Sequence, residues 1–329
     1  MLKRLVFIFT LFMIFSCGKN ADEKTASAVL SANIYLSKGN CQAAINVLED
    51  NGRQNNDAHY LKVLASAYAC RAGFAATTFI ASDLALTGSP APLGGTTLYS
   101  TSLLSTTSPL QNDTRFSDLQ TAIQILLYAG GIPSTVEPTA SERLKYFSSD
   151  EAGEINSQLL FMMFAQLGKY MHVYGNGDAA LGKKGAGSGA NKCFTGYTDA
   201  GIVSASVLAV IAALPVTCRR PAESSHAELA TAIVASTRKS RLCHGVVLLN
   251  GLLNILPSVV GSATGTLGTQ ASAFSVAANA ASAALKLADP AIGIVASTIN
   301  QTSCEDNSNV PVAKLESYFA LMYESIFLP

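Results

Sequence analysis

Three groups of side chains in this 329-residue sequence have types and spacings that could do chemistry. Gly177-Asp-Ala-Ala-Leu-Gly182-Lys183-Lys184 comes within one residue of a phosphate-cradling glycine loop. That loop needs Ser or Thr at its last position to hold Mg²⁺, and it must follow a strand and open a helix. Here Lys184 stands at that position, and the surrounding pattern is helix, then more glycine. The stretch reads as a solvated glycine-rich loop over 175–189, and no nucleotide is expected. The four histidines, His59, His172, His226 and His244, fall on separate expected helices with no HExxH or second-His spacing. No GxSxG elbow marks a nucleophilic serine. Asp150, Glu151 and Glu154 sit in the first turn of an expected helix, where negative charge complements the dipole. The sequence therefore supplies no catalytic, metal-binding or cofactor-binding residue, and a non-enzymatic protein is expected.

Cysteine is the remaining reactive type. Lys3-Arg4, the run Leu5–Phe15 and Ser16-Cys17 give a charged n-region, an h-region too short to span a bilayer, and a small residue before Cys. This resembles a bacterial lipoprotein signal, although Phe15 stands where a small residue is commoner. The resemblance implies acylation of Cys17, cleavage before it, and a lipid-anchored protein of the bacterial envelope, on the outer membrane facing the periplasm. Acyl chains contribute about 0.8 kcal/mol per buried CH₂, so a multiply acylated cysteine anchors stably. Removing residues 1–16 leaves 313 residues, with 20 basic against 22 acidic side chains. Near-neutrality argues against nucleic acid, which calls for clustered Lys and Arg. Six cysteines remain, an even number that in an exported chain reads as a disulfide framework. No CxxC or Cys/His spacing points to zinc instead.

The elements that would position these residues are helical. Apolar spacing of three and four residues predicts helices at 25–38, 41–50, 57–72, 75–86 and 113–129. Capping-box patterns at Thr139–Glu142 and Ser148–Glu151 start two more, the second carrying Leu159, Leu160, Met162, Met163, Leu167 and Met171. Further helices are expected at 197–217, 222–256, 268–288, 291–303 and 311–327. Between them, 87–112 is an uncharged loop rich in Gly, Pro, Ser and Thr. Gly245–Leu285 holds no charged residue. Its apolar pieces could form a membrane hairpin, but Asn250, Asn254, Pro257 and Asn279 interrupt them, so buried helices are the preferred reading. No strand-like alternation persists, and the fold class is all-α.

Within 25–86, Gly39 and Gly73 lie 34 residues apart, each closing one apolar helical run and opening another. In that register Ala32 matches Ser66, Ala44 matches Thr78 and Ile45 matches Phe79. The period resembles the tetratricopeptide repeat, a helix–turn–helix unit of 34 residues. Lys62 stands where Trp is usual, and no Pro closes either repeat. The expected organisation is a signal peptide (1–16), a lipid-anchored tether (17–24), two tetratricopeptide-like helical pairs (25–86), the neutral loop (87–112) and a larger helical domain (113–329).

Antiparallel hairpin geometry then suggests disulfides. Cys41 and Cys70 are equally far from a turn near Asn55–Asn56, which places them level with each other. Folding 197–217 against 222–256, and 268–303 back upon them, gives Cys193–Cys243 and Cys218–Cys304, with Cys193–Cys218 plus Cys243–Cys304 as the second choice. Repeat-like helices present concave binding faces. The expected role is accordingly binding a partner protein or stabilising an envelope assembly. The alternative is a periplasmic component that binds a small molecule for a transporter, in an apolar cavity between helices.

Overall fold

The computed structural model describes residues 20–79, 110–175, 193–197, 227–229, 234–260 and 290–324, with single positions at 209, 212 and 218 and between 272 and 287. Cys17, most of the neutral loop, the glycine loop beyond Gly175, His226 and nearly all of the expected 197–217 helix lie outside the described residues. What is described is all-α, with no strand among the described residues.

Helix α1 (Ala21–Ser37) begins four residues earlier than its apolar pattern suggests. Asn20 accepts from Glu23 N (2.7 Å), and Glu23 returns a bond to Asn20 N (3.3 Å), a capping box that recruits Ala21–Lys24 into the helix. Helices α2 (Cys41–Asp50) and α3 (Ala58–Arg71) follow, capped by Asn40 and Asp57. Both glycine turns have the same construction. Gly39 (φ +70°) and Gly73 (φ +74°) take the left-handed conformation. Asn40 N bonds Tyr35 O and Phe74 N bonds Ala69 O, both at 2.9 Å. A side chain at either glycine would be strained, so each turn stops one helix and reverses the chain. Ala32, Ala44, Ile45 and Phe79 are buried, and Ser66 and Thr78 are half-buried.

Helix α4 (Thr114–Leu127) packs against α3. Arg71 clamps that contact by bonding both Asp118 oxygens, at 2.9 and 2.6 Å. The short α5 (Ala140–Arg143), started by the Thr139 cap, leads into α6 (Ser149–Tyr174). Nearly every residue of α6 from Leu159 to Met171 is buried, as suits a helix that packs on α3, α4 and α7 at once. The methionines fill this core. Arg143 is fully buried and donates to Leu127 O (3.1 Å), Pro138 O (2.8 Å) and Asn156 Oδ1 (2.7 Å). A cation is thereby fixed at the carbonyl end of α4, where the helix dipole favours it.

Helix α7 (Ala235–Val260) crosses α6. Gly245 permits the approach, since a Cβ there would lie 2.7 Å from Phe319 and 2.8 Å from the Tyr170 hydroxyl. It starts at Ala235, not near 222, and Ala227–Leu229 is a separate 3-10 turn. The helix also continues three residues past Pro257. By length and hydropathy α7 could cross a membrane, yet 72% of its most apolar window is buried inside the protein. It is a core helix. The expected 291–303 helix is broken: Pro290–Ser297 is 3-10, and α8 (Gln301–Asp306) restarts behind the Asn300 cap. The break follows from Asn250, whose amide donates to Val295 O (2.7 Å) and Thr298 O (2.9 Å), carbonyls that a continuous helix would have used. Helix α9 (Val312–Tyr318) continues as a π turn, Phe319–Tyr323.

Cys41 is joined to Cys70 with Cα atoms 5.6 Å apart. The other four cysteines form Cys193–Cys218 (5.5 Å) and Cys243–Cys304 (5.8 Å), in place of Cys193–Cys243 and Cys218–Cys304. The expected pairing required an unbroken helix from 222 to lift Cys243 level with Cys193. With α7 starting at Ala235, Cys243 instead faces α8, beside the bonds Gln301 Nε2 to Ser240 O (3.1 Å) and Ser240 Oγ to Glu305 (2.6 Å). Cys218 lies along 193–197, where its carbonyl accepts from Tyr197 N at 2.9 Å.

Candidate functional site: an open groove on the first helices

The residues that could do chemistry are not brought together. His59 and His172 are exposed on different helices, and His244 lies in α7 between the rings of Phe116 (centroids 5.4 Å) and Tyr170 (5.9 Å, stacked). The His244 Nε2 is shielded from solvent and bonds nothing among the described residues. Burial, together with the Arg241 charge, lowers its pKa to about 4, so the ring is neutral at physiological pH. No cluster of three His, Cys, Asp or Glu residues suited to a metal occurs among the described residues. Glu154 pairs with Lys62 of α3, and Glu151 closes the α6 capping box. Both acidic residues thus have structural work.

Charged side chains are sealed inside the C-terminal core. Arg238 and Glu316 form a buried ion pair. Arg238 also donates to Thr195 Oγ1 (2.6 Å) and Leu229 O (3.1 Å). Glu324 accepts from Phe194 N (2.8 Å) and the Tyr197 hydroxyl (2.6 Å). Burial first, and then the Glu324 charge, raises the Tyr197 pKa well above its ordinary value. Each charge here is matched by a partner. The network ties 193–197 and the Ala227–Leu229 turn to α7 and α9.

The feature open to another molecule lies at the other end of the chain. A groove of about 810 Å³ runs between α1 and the Arg53–Asp57 turn that leads into α3. Its floor is Thr25, Ala26 and Val29; its walls carry Asn33, Arg53, Gln54, Asn56 and His59, with Asp22 and Asp57 near the ends. The turn is held rigidly. Asn51 Nδ2 donates to Thr25 Oγ1 (3.0 Å), Asn55 O accepts from Gly130 N (2.8 Å), and Asp57 caps α3 by accepting from Tyr60 N (2.9 Å). Tyr60 reaches back under the turn to Leu48 O at 2.8 Å. Leu30 (63% exposed) lines one lip, with Ile34 (47%) beyond it on the same helix. The result is a wall of amides and charges beside an apolar ledge, suited to polar main-chain or amide groups with an apolar side chain alongside. Sequence reasoning placed no site here. The available signal was the density of turn formers, Asn51-Gly52 and Asn55-Asn56, against the exposed edge of α1.

No protein-family description, curated protein or solved structure matches the chain. The functional reading therefore rests on these residues alone.

Proposed function

We propose that this chain is an exported, lipid-anchored, non-enzymatic protein of the bacterial envelope, and that a partner protein docks in the groove between α1 and the α2–α3 turn. The groove itself carries the reading: 810 Å³, open, with preset amide and charged walls and an apolar lip. Helix α1 starts four residues after Cys17, so acylation of Cys17 would hold the groove close to the membrane surface. The paired Gly39 and Gly73 turns support two tetratricopeptide-like units, with α1 and α3 as the helices facing the partner. The outer membrane, facing the periplasm, is the proposed location.

Two measurements test this. Ala26 and Asn33 are exposed on the groove side of α1, so Ala26→Arg and Asn33→Arg should fill it while changing stability by less than about 0.5 kcal/mol. Affinity capture from envelope extracts with the full chain should then lose the proteins that the unaltered chain retains. Retention of the same set by both variants would overturn the groove as the docking site. Cys17→Ser should block processing or release the protein from membranes; a processed variant that stays membrane-bound would overturn the anchor.

A further inference from the structure

A second opening lies away from the α1 groove, between α5, α6 and the carboxyl end of α7, and encloses about 350 Å³. Helix α6 contributes Ser149, Ala152, Gly153 and Asn156, which share one face, and α7 contributes Asn254 and Ser258. Among the described residues no charged side chain lines it. Its amides are turned one way. Asn254 Oδ1 accepts from Ala140 N (2.8 Å), and Asn156 Oδ1 accepts from Arg143 Nε (2.7 Å), so both oxygens are used within the protein. Asn156 Nδ2 donates to Ser258 Oγ (3.2 Å), which itself donates to Ile255 O (2.6 Å). Asn254 still has its whole amide nitrogen to offer, and Asn156 one of its two hydrogens. The opening therefore presents donors.

Arg143 stands directly behind Asn156. It is fully buried and forms no ion pair among the described residues. Burial lowers its pKa to about 10, and no carboxylate opposes that fall. Its Nη1 is satisfied by Leu127 O and Pro138 O, whereas its Nη2 is shielded from solvent and bonds nothing among the described residues. In a planar guanidinium, Nε–H and Nη2 share one edge, the edge that takes both oxygens of a carboxylate. Arg71 uses that edge on Asp118, at 2.9 and 2.6 Å. Arg143 fills only the Nε half of it, with the neutral oxygen of a residue that also lines the opening. The other half, on the same side, is empty.

We propose that this opening binds a small organic carboxylate, whose two oxygens take the Nε–Nη2 edge of Arg143 when Asn156 swings aside, with Asn254 Nδ2 as a further donor. Leu144 (53% exposed) and Pro257 give the walls apolar surface, which suits the carbon chain of an organic acid better than an inorganic anion. The volume is at the small end of ligand pockets, so the acid is small. Nothing in this site depends on a partner in the α1 groove.

Calorimetry and thermal unfolding of the full chain test this with straight-chain carboxylates from acetate to octanoate, each compared with its primary amide. At least one acid should bind, raise the unfolding midpoint, and bind at least tenfold more tightly than its amide. Two variants then locate the site. A Cβ on Gly153 would meet nothing within 4 Å, so Gly153→Glu keeps the fold, sets a rival carboxylate in the opening and should weaken acid binding at least tenfold. Asn156→Asp supplies the missing carboxylate from the chain itself. It should abolish acid binding and, with no acid present, raise the unfolding midpoint above that of the unaltered chain. No binding of any acid by the folded, unaltered chain would overturn the proposal, and so would equal affinity for acid and amide. Acid binding unchanged in either variant would place it elsewhere and overturn this site. A lower midpoint in Asn156→Asp would show that the edge of Arg143 does not call for an anion.

Discussion

The two ends of the described chain solve the polar-group problem in opposite ways. In α1–α3 the polar side chains face solvent: the groove walls are open, Tyr68 and Glu49 meet at the surface (2.5 Å), and Cys41–Cys70 is half-buried. In the C-terminal core the polar groups are sealed inside. Arg238–Glu316, Glu324 with Tyr197, and both remaining disulfides are buried. Perturbed ionisation alone would direct a search for function to the second region. There each buried charge already has its partner, which is what a uniquely packed core requires and leaves little for a ligand. In the first region the Tyr60 and Tyr68 pKa values are also raised by burial, but the groove walls beside them present preset donors and acceptors to solvent. Unfilled geometry is the better guide here than perturbed ionisation.

The largest effect expected from this contrast is at the buried pair. Arg238→Met should cost on the order of 3–5 kcal/mol by leaving Glu316 uncompensated, and Arg238→Met with Glu316→Leu should recover most of it. Urea unfolding measures both. Equal losses in the single and double variants would show that the pair is not coupled. Next are the disulfides. In the chain-entropy model, opening Cys243–Cys304, with a separation of 61 residues, removes about 4 kcal/mol, and Cys41–Cys70, with a separation of 29, about 3.5 kcal/mol. Accessibility runs the other way. Under a graded dithiol reductant, alkylation and peptide mapping should find Cys41 and Cys70 modified first and the four buried cysteines only after global unfolding. Simultaneous release of all six would erase the distinction between the two regions.

The smallest effect concerns pH. His244 has a folded pKa of about 4 against an ordinary 6.5. Between those values the unfolded chain binds the extra proton and the folded chain does not. Stability therefore falls as pH drops from 6.5 toward 4, by at most about 3 kcal/mol, and this contribution is constant above 6.5. His244→Leu should flatten that slope in a series of unfolding curves. An unchanged slope would assign the acid sensitivity to other groups.

Local signals in the sequence carried much of the first half. Ser148-x-x-Glu151 and Asp113 mark helix starts by direct capping, and a glycine 34 residues after another predicts a turn of the same build. The start of α1 escaped because Asn20 precedes charged residues that look like tether, although Asn20-x-x-Glu23 is itself a capping box. The cysteine pairing depended on long-range facts that no local pattern holds. Apolar periodicity alone does not show that α7 starts only at Ala235, or that Asn250 takes carbonyls from the 291–303 segment. The Arg238–Glu316 pair joins residues 78 apart, and either one taken alone looks like an ordinary surface charge. The groove was invisible for a different reason. It is made by the relation of a turn to a helix face, and no single residue in it is unusual.

The disulfide connectivity has a consequence for the chain's biogenesis. Numbered from the amino end, the cysteines after Cys17 pair first with second, third with fourth and fifth with sixth. No bridge encloses another, and none crosses another. A chain delivered amino end first to an oxidising compartment can therefore join each cysteine to the next one that arrives. In such a compartment, an oxidase with no partner choice would make all three bonds in a single pass, leaving none for an isomerase to shuffle.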